Sequence, residues 1–388
     1  MELPYVLIVA TAVIVSVYLA LVTFFLGGLK KLLKEKPVAP DRQPLSVSVI
    51  VAARNEEHNI PALLNSLHCQ EGIAGMMEVI ISDDHSADRT AGRVIEFIAA
   101  HPSFPLTLVR PTPADTVTGK KAAITRAVER ATGSLLLFTD ADSLHGPGWI
   151  ASMTAAFGNP GTHLVLGPVC YAGGGNRLQR IQELEFLGLM GVTAGSAFLG
   201  FPVMGNGANL ACRRDTWLEA ASRRDDMGLP SGDDQFLMMW VKKNSGGRPV
   251  VFRADPAATV TTAPAARWPD FFHQRIRWVS KSRRYRDGTV IVTGLVTWLA
   301  HLALLAGMIS GFGSPGGWIV SWLLFMVKMA ADRAVVIPMA HFFGKPLPAG
   351  DFLMAQLFQV VYVSLAGVLG PFLPYRWKGR RASASAIS

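Results

Sequence analysis

Asp140 and Asp142 stand one residue apart, directly after the apolar run 135–138. If that run is a buried strand, it delivers two carboxylates to the edge of a sheet. Such a pair suits Mg²⁺ or Mn²⁺, hard cations that take one or two protein carboxylates and leave the other positions to phosphate oxygens and water. An Asp-x-Asp is by itself a common accident of composition, and its place at a strand end is what gives it weight. Asp83 and Asp84 follow another apolar run and precede Ser86-Ala87-Asp88. They can accept hydrogen bonds from a nucleobase or ribose, or cap a helix, a duty that Ser86 or Asp88 could fill as well. Gly119-Lys120-Lys121 opens a helical stretch, where a helix N-terminus and a cation both favour a phosphate oxygen. The upstream glycine of a Walker loop is missing, and a surface lysine is the plainer alternative. Ser231-Gly232-Asp233-Asp234-Gln235 precedes the helical run 236–241. The carboxylate there is either a solvated N-cap or a general base able to take the proton of an attacking hydroxyl.

A further constellation lies in the stretch 268–285. With Pro269 opening a helix, the spacing predicts Gln274, Arg277 and Trp278 on one face and Phe272, Ile276 and Val279 on a separate apolar stripe. A guanidinium fork beside an indole, with an amide one turn earlier, suits a diphosphate together with a sugar ring. Arg283, Arg284 and Arg286 extend the basic run, so an interfacial helix is the alternative, and it does not exclude the first reading.

The elements that must position these groups alternate. Strands are predicted over 46–53, 77–82, 106–110 and 134–139, and helices over 59–69, 87–100 and 120–131. Repeated β and α units imply an α/β, parallel sheet wound with helices, whose ligands bind beyond the carboxyl ends of the strands. The polar clusters fall there: Arg54-Asn55-Glu56-Glu57, Asp83-Asp84 and Asp140-Ala141-Asp142, with Arg54 and Glu56 expected on the donor side. Beyond residue 150 an α+β extension is expected, with a helix near 178–189. Residues 205–209 and 183–185 are expected, from their position, to line an acceptor pocket.

Half of the 388 residues are hydrophobic and the formal charge is +9. That is too apolar for a wholly soluble enzyme, and the basic excess flanks apolar segments: Lys30, Lys31, Lys34 and Lys36 after the first, Arg376, Lys378, Arg380 and Arg381 after the last. Membrane flanks explain this charge more simply than nucleic acid, which is not expected as a partner. Three scattered cysteines give neither a disulfide framework nor zinc spacing, consistent with a reducing setting. The expected organisation is an uncleaved transmembrane anchor over 1–29 and a basic Pro-rich linker over 30–45. A cytoplasmic catalytic domain over 46–267 and an amphipathic interfacial helix over 268–287 follow. A transmembrane region of two to three spans over 288–374 and a basic tail over 375–388 complete it. The middle apolar segment carries Lys328, Asp332 and Arg333 and is expected to be irregular or partly interfacial unless these charges pair or face the protein interior.

In order, Val49 to Glu57, Asp83-Asp84, Asp140-x-Asp142, Gly232-Asp233-Asp234 and Gln274-x-x-Arg277-Trp278 before apolar spans resemble the membrane-bound glycosyltransferases of family 2. That family includes cellulose, chitin, hyaluronan and poly-N-acetylglucosamine synthases, ceramide glucosyltransferase, and bacterial lipid or carotenoid glycosyltransferases. The resemblance covers about residues 46–286. It implies a GT-A (Rossmann-like) nucleotide-sugar-binding fold, a nucleoside-diphosphate sugar donor, UDP-linked foremost, and Mg²⁺ or Mn²⁺. Carried over residue by residue, Asp83 and Asp84 match the nucleotide-binding pair and Asp140 and Asp142 the metal and diphosphate motif. Asp234 matches the catalytic base, beside Asp233, and Gln274, Arg277 and Trp278 the motif that closes over diphosphate and acceptor. The expectation is an inverting enzyme of the bacterial inner membrane acting on a membrane lipid or lipid-linked hydroxyl. A processive polysaccharide synthase is the alternative, disfavoured by the small C-terminal bundle.

Overall fold

The computed structural model describes residues 3–35, 45–112, 115, 117–223, 232–310, 315–370, 372–377 and 380–382. Most of the expected Pro-rich linker, with Lys36, Pro37, Pro40 and Pro44, lies outside the described residues, as does Ser231. The chain divides into two compact units. One is Glu35–Ala172 with Met204–Ala263; the other is Met1–Lys34 with Gly173–Val203 and Pro264–Ser388. The stretch 173–203, which the expected catalytic span 46–267 contains, thus groups with the apolar helices.

Helix α1 (Leu3–Leu32) opens the chain and belongs to the helical unit. In the sheet unit, β1 (Val47–Ala53), α2 (Ile60–His68), β2 (Met77–Asp83), α3 (Thr90–Ala100), β3 (Leu106–Val109), α4 (Lys120–Arg130) and β4 (Leu135–Asp140) alternate as their patterns predict. β1 is apolar and buried along almost its whole length, which is what a central strand covered on both faces demands. It pairs in parallel with β2 and β4, so Ala53 aligns with Asp83 and Ala52 with Asp140. The register brings the carboxylates to one sheet edge. Helix α3 begins at Thr90, three residues later than the pattern predicts, because Asp88 takes the N–H of Thr90 at 3.0 Å and that of Glu57 at 3.1 Å. Asp88 thus takes the N–H of the first helical residue, while the N-cap Arg89 makes no side-chain cap, and neither Asp83 nor Asp84 is needed there.

β5 (Leu144–His145), α5 (Trp149–Ala155), β6 (Leu164–Leu166) and β7 (Val169–Tyr171) complete the first half; α6 (Arg177–Phe198) belongs to the helical unit. β8 (Leu210–Arg213), α7 (Arg214–Arg223), α8 (Asp233–Asn244), β9 (Val250–Phe252) and β10 (Val260–Thr262) complete the second. The main sheet runs β3-β2-β1-β4-β8-β6-β9, and a small sheet runs β5-β10-β7. The four strands of the alternating run pair in parallel as expected, and beyond them, in the expected α+β extension, β8 lies antiparallel to both β4 and β6. No single crossover helix links β4 to β8, so the rule that makes βαβ neighbours parallel does not act there.

The helical unit contains α1, α6, α9 (Trp268–Val279), α10 (Gly288–Ser310), α11 (Pro315–Phe342) and α12 (Ala349–Leu369). The strands β11 (Tyr375–Trp377) and β12 (Arg380–Ala382) pair antiparallel where a plain basic tail is expected. Among the described residues three helices are long and apolar enough to cross a membrane: Val6–Leu32, Gly288–Ile309 and Ala349–Leu369. Val15, Leu304, Phe325 and Val360 form a core among α1, α10, α11 and α12. Helix α6 has 22 residues and runs well beyond the expected 178–189. Its small residues bring its backbone close to α1, for a Cβ on Gly195 would stand 2.1 Å from the Phe25 carbonyl oxygen. Helix α11 is continuous, the case left open for paired charges, because Lys328 and Asp332 pair. Lys328, fully buried, sits 2.8 Å from Asp332 and bonds Gln356 at 2.7 Å, while Asp332 accepts from Tyr18 at 2.6 Å.

Candidate active site

Three segments far apart in sequence meet in the sheet unit: the end of β4, the start of α4 and the start of α8. Gly119 caps α4 with φ 115°, a conformation that costs an L side chain dearly, and its N–H reaches both carboxylate oxygens of Asp84 at 3.1 Å. The next residue, Lys120, pairs through Nζ with Asp140. Burial works against the Lys120 ammonium, but the Asp140 carboxylate, with Asp234 and Asp233 behind it, outweighs burial and raises its pKa. Lys120 is thus a fixed positive charge beside three carboxylates. The neighbouring Lys121, almost wholly buried, has Nζ 3.6 Å from Asp233 and 5.7 Å from the ring centre of Phe236.

Helix α8 starts after Gly232, whose φ of 101° again calls for glycine. Asp234 is held from two sides: Oδ1 accepts from the Gln235 N–H at 2.8 Å and Oδ2 from the Gly207 N–H at 2.9 Å. A Cβ on Gly207 would come 3.4 Å from Lys120 Nζ and 3.5 Å from Asp234 Oδ2, so Gly207 touches both charges. A Cβ on Gly205 would meet the Asp234 carbonyl oxygen at 2.9 Å. Two glycines therefore let the 205–207 loop lie against the start of α8. Asn209 plays a different part from the pocket lining expected of it. Wholly buried, it donates to Pro168 O and Ala258 O at 2.8 Å each and accepts from Trp149 Nε1 at 3.0 Å, tying the loop down.

Asp142 stands in the turn that follows Asp140, closed by Ser143 N–H to Asp140 O at 3.1 Å. Among the described residues no group of three or more His, Cys, Asp or Glu could hold a metal ion. The donor set nonetheless fits a hard divalent cation: two carboxylates across one turn at an open sheet edge leave the other positions to phosphate oxygens and water. Behind β4, the Thr139 hydroxyl bonds Ala208 O at 3.0 Å and His145 Nε2 at 2.9 Å, while Ser66 meets His145 Nδ1 at 3.1 Å. Burial pushes the pKa of His145 down to about 3. This histidine is a neutral brace for the residue before Asp140.

Asp83 and Asp84 are each 1 % exposed. Asp84 also faces His85 Nδ1 at 3.4 Å and Arg126 Nη2 at 3.8 Å, and Asp83 faces Arg110 at 3.9 Å. Arg126 is nine-tenths buried with Nε and Nη2 outside any hydrogen bond, a cation that the spacing of the sequence does not announce. Arg54 stands over the same loop and donates to the carbonyls of Asp84 and His85 at 2.5 and 3.0 Å. Glu56 is buried and accepts from Asn59 at 2.7 Å, so it fastens the start of α2.

The helical unit carries α9. Its buried residues are Phe271 and Arg275, whereas Phe272 is 43 % exposed. The expected apolar stripe through Phe272, Ile276 and Val279 is therefore not the buried face. A charged residue is buried in its place because Glu185 of α6 meets it at 2.5 Å. Gln274 accepts from Arg275 at 2.6 Å, the Trp278 ring lies 4.3 Å from the Arg275 guanidinium, and Arg277 is half-buried on the same helix. Glu183 and Glu185, expected in an acceptor pocket, are both engaged: Glu183 with Lys345 at 2.8 Å, Glu185 with Arg275 and the Tyr362 hydroxyl.

Comparison with known proteins agrees with the geometry. The profile described as "Glycosyl transferase family 2" matches residues 48–219, and "Glycosyl transferase family group 2" matches residues 135–362, more than half of the chain. Glycosyltransferase AglE of Haloferax volcanii is 29 % identical over 136 residues, 34 % of this chain and 43 % of that protein. Dolichol-phosphate mannosyltransferase of Pyrococcus furiosus is 28 % identical over 131 residues, 34 % of this chain and 35 % of that protein. The matches thus span less than half the length of either relative. Among solved structures, the mannosyltransferase PcManGT from Pyrobaculum calidifontis, in complex with GDP-Man and Mn²⁺, shares the fold. Its TM-score is 0.54 at 19 % identity, covering 92 % of this chain and 99 % of that one. With its α/β sheet unit of GT-A type and its profile matches, the chain belongs to the family 2 glycosyltransferases, enzymes that use a nucleotide-sugar donor.

Proposed function

We propose that the chain transfers one or a few sugars from a nucleoside-diphosphate sugar to a hydroxyl of a membrane-associated acceptor, with inversion. The observation that carries this reading is the convergence of Lys120, Asp140 and Asp234 around Gly207, drawn from three separate elements at one sheet edge. Asp83 and Asp84, with Arg54 and Arg126 beside them, bind the nucleoside; Glu56 supports that loop. Asp140 and Asp142 would hold Mg²⁺ or Mn²⁺, which when bound neutralises charge on the departing diphosphate. Lys120 adds a fixed positive charge to the same end, and Arg277 of α9 is assigned a donor fork for diphosphate or acceptor.

Asp234, at a helix N-terminus and held by two N–H donors, is the residue that meets the acceptor hydroxyl. It takes that proton as the oxygen attacks the anomeric carbon opposite the leaving diphosphate, so an α-linked donor gives a β-linked product. Asp233, held by Lys121, sets the first turn of α8. Gln274 and Trp278 serve the acceptor sugar or headgroup.

The three apolar helices support a chain anchored in a membrane; our reading is the bacterial inner membrane with the sheet unit in the cytoplasm, from the lysines that follow the first apolar segment. A lipid-linked acceptor is supported by the dolichol-phosphate relative; GDP-Man in PcManGT keeps guanosine donors beside the UDP-sugars. The test is mass spectrometry of lipid extracts and polymer fractions after expression with a panel of UDP- and GDP-sugars. A new glycolipid that disappears with Asp234→Asn upholds the reading. A long polysaccharide, or no glycosylated product with any donor, overturns it.

A further inference from the structure

The best-connected charged residue of α9 is not one of the three to which a substrate role is given above. Arg275 is 4 % exposed and sits among Glu185 of α6, Tyr362 of α12 and the rings of its own helix. One Nη donates to Glu185 Oε2 at 2.5 Å and the other to Gln274 Oε1 at 2.6 Å. The guanidinium carbon lies 4.3 Å from the Trp278 ring centre and 4.5 Å from that of Phe271. The Tyr362 hydroxyl completes Glu185 from α12. Leu178, Phe271 and Tyr362 close an apolar cluster around this arrangement.

A buried ion pair is poor evidence for stability, because desolvating both ions consumes most of what their attraction returns, and an apolar replacement is often neutral or better. What such a pair supplies is orientation. Here the orientation is specific: only a flat fork can bond Glu185 with one nitrogen, bond the Gln274 amide with the other, and lay its face against an indole. A lysine would keep the charge and lose the plane.

We infer that Arg275 is a positioning residue. Clamped by Glu185 and Tyr362, it fixes the rotamers of Gln274 and Trp278 so that these two face the acceptor, while not itself touching substrate. This rests on the acceptor role proposed for α9. A misplacement of about 1 Å in a positioning contact can cost about 100-fold in rate, so the Arg275–Glu185–Tyr362 clamp sets acceptor use rather than donor affinity.

The test uses the full chain in vesicles of phosphatidylethanolamine and phosphatidylglycerol containing a total bacterial lipid extract. Radiolabelled UDP-glucose, UDP-N-acetylglucosamine and GDP-mannose are the probes. Label reaching the lipid phase measures transfer, free sugar released measures donor hydrolysis, and their ratio separates acceptor use from general damage. Arg275→Lys is expected to lower that ratio by about tenfold with donor KM changed less than about twofold, Glu185→Gln by somewhat less. Adding Arg275→Lys to Trp278→Ala lowers it by clearly less than the two single effects combined, because part of the Arg275 effect acts through that ring.

An unchanged ratio in folded Arg275→Lys, with a fall in Trp278→Ala, overturns the positioning role and leaves the acceptor role of α9 standing. An unchanged ratio in Trp278→Ala overturns that acceptor role, and the inference with it. Should Arg275→Lys not fold, Tyr362→Phe removes only the hydroxyl that completes Glu185. A lowered ratio there supports the clamp, and an unchanged one overturns it.

Discussion

The sheet edge and helix α9 both carry charge, and they hold it in opposite ways. At the sheet edge the side chains of Lys120 and Asp140 are 21 % and 35 % exposed, and Asp234 is fixed by backbone N–H groups of a glycine loop and a helix start. On α9 the side chains of Arg275 and Glu185 are 4 % and 7 % exposed, and they are held by each other and by the side chains of Gln274 and Tyr362. Charge held by backbone keeps an open face for a ligand, whereas charge held by buried partners has spent its bonding capacity on posture. The first arrangement suits chemistry and the second suits aim.

That contrast is broken most severely at Asp234. Asp234→Asn keeps the shape and the Gly207 contact but removes the base, so transfer is expected to fall by about 10²–10⁴-fold with donor binding largely spared. Loss of donor affinity with turnover retained would move Asp234 from chemistry to posture. Next in size, Asp140→Asn or chelation with EDTA is expected to weaken nucleotide binding by about tenfold or more in titration calorimetry, with Mn²⁺ restoring only the wild type. Equal binding with and without the cation would remove the metal from the account.

The smallest effect sharpens the contrast from behind the sheet. His145 is held neutral by burial, with a folded pKa of about 3 against the ordinary 6.5. The unfolded chain binds the extra proton between these values, so the stability of the sheet unit is fully present above about pH 6.5 and is lost progressively as pH falls toward 3. His145→Gln should flatten that dependence in thermal melts between pH 4 and pH 7 (about the range over which the unfolded imidazole titrates). An unchanged slope would deny His145 its part as a neutral brace.

Much of the sheet edge was legible in the sequence. The run from β1 to β4 alternates with helices at short, regular spacing, and parallel register then carries Asp83 and Asp140 to one edge with no tertiary knowledge needed. Legibility ends where partners are remote. Nothing local in α9 marks Arg275 as buried, for its counter-ion stands on α6 and its lid on α12. Helix α6 outruns its pattern because its later residues include Gly, Thr and Ser, which are poor helix signals, whereas small side chains are what close packing against α1 requires. Gly207 could be suspected from its glycine-rich surroundings, but its contact with Lys120 and Asp234 depends on where α4 and α8 begin.

In the mechanism proposed above one carboxylate, Asp234, activates an acceptor for a single displacement. The most direct measurement is the anomeric proton coupling of the purified product by NMR, using an α-linked nucleotide sugar. A β linkage is the result expected of a single displacement. An α linkage would mean two displacements or none of this kind, and would contradict it.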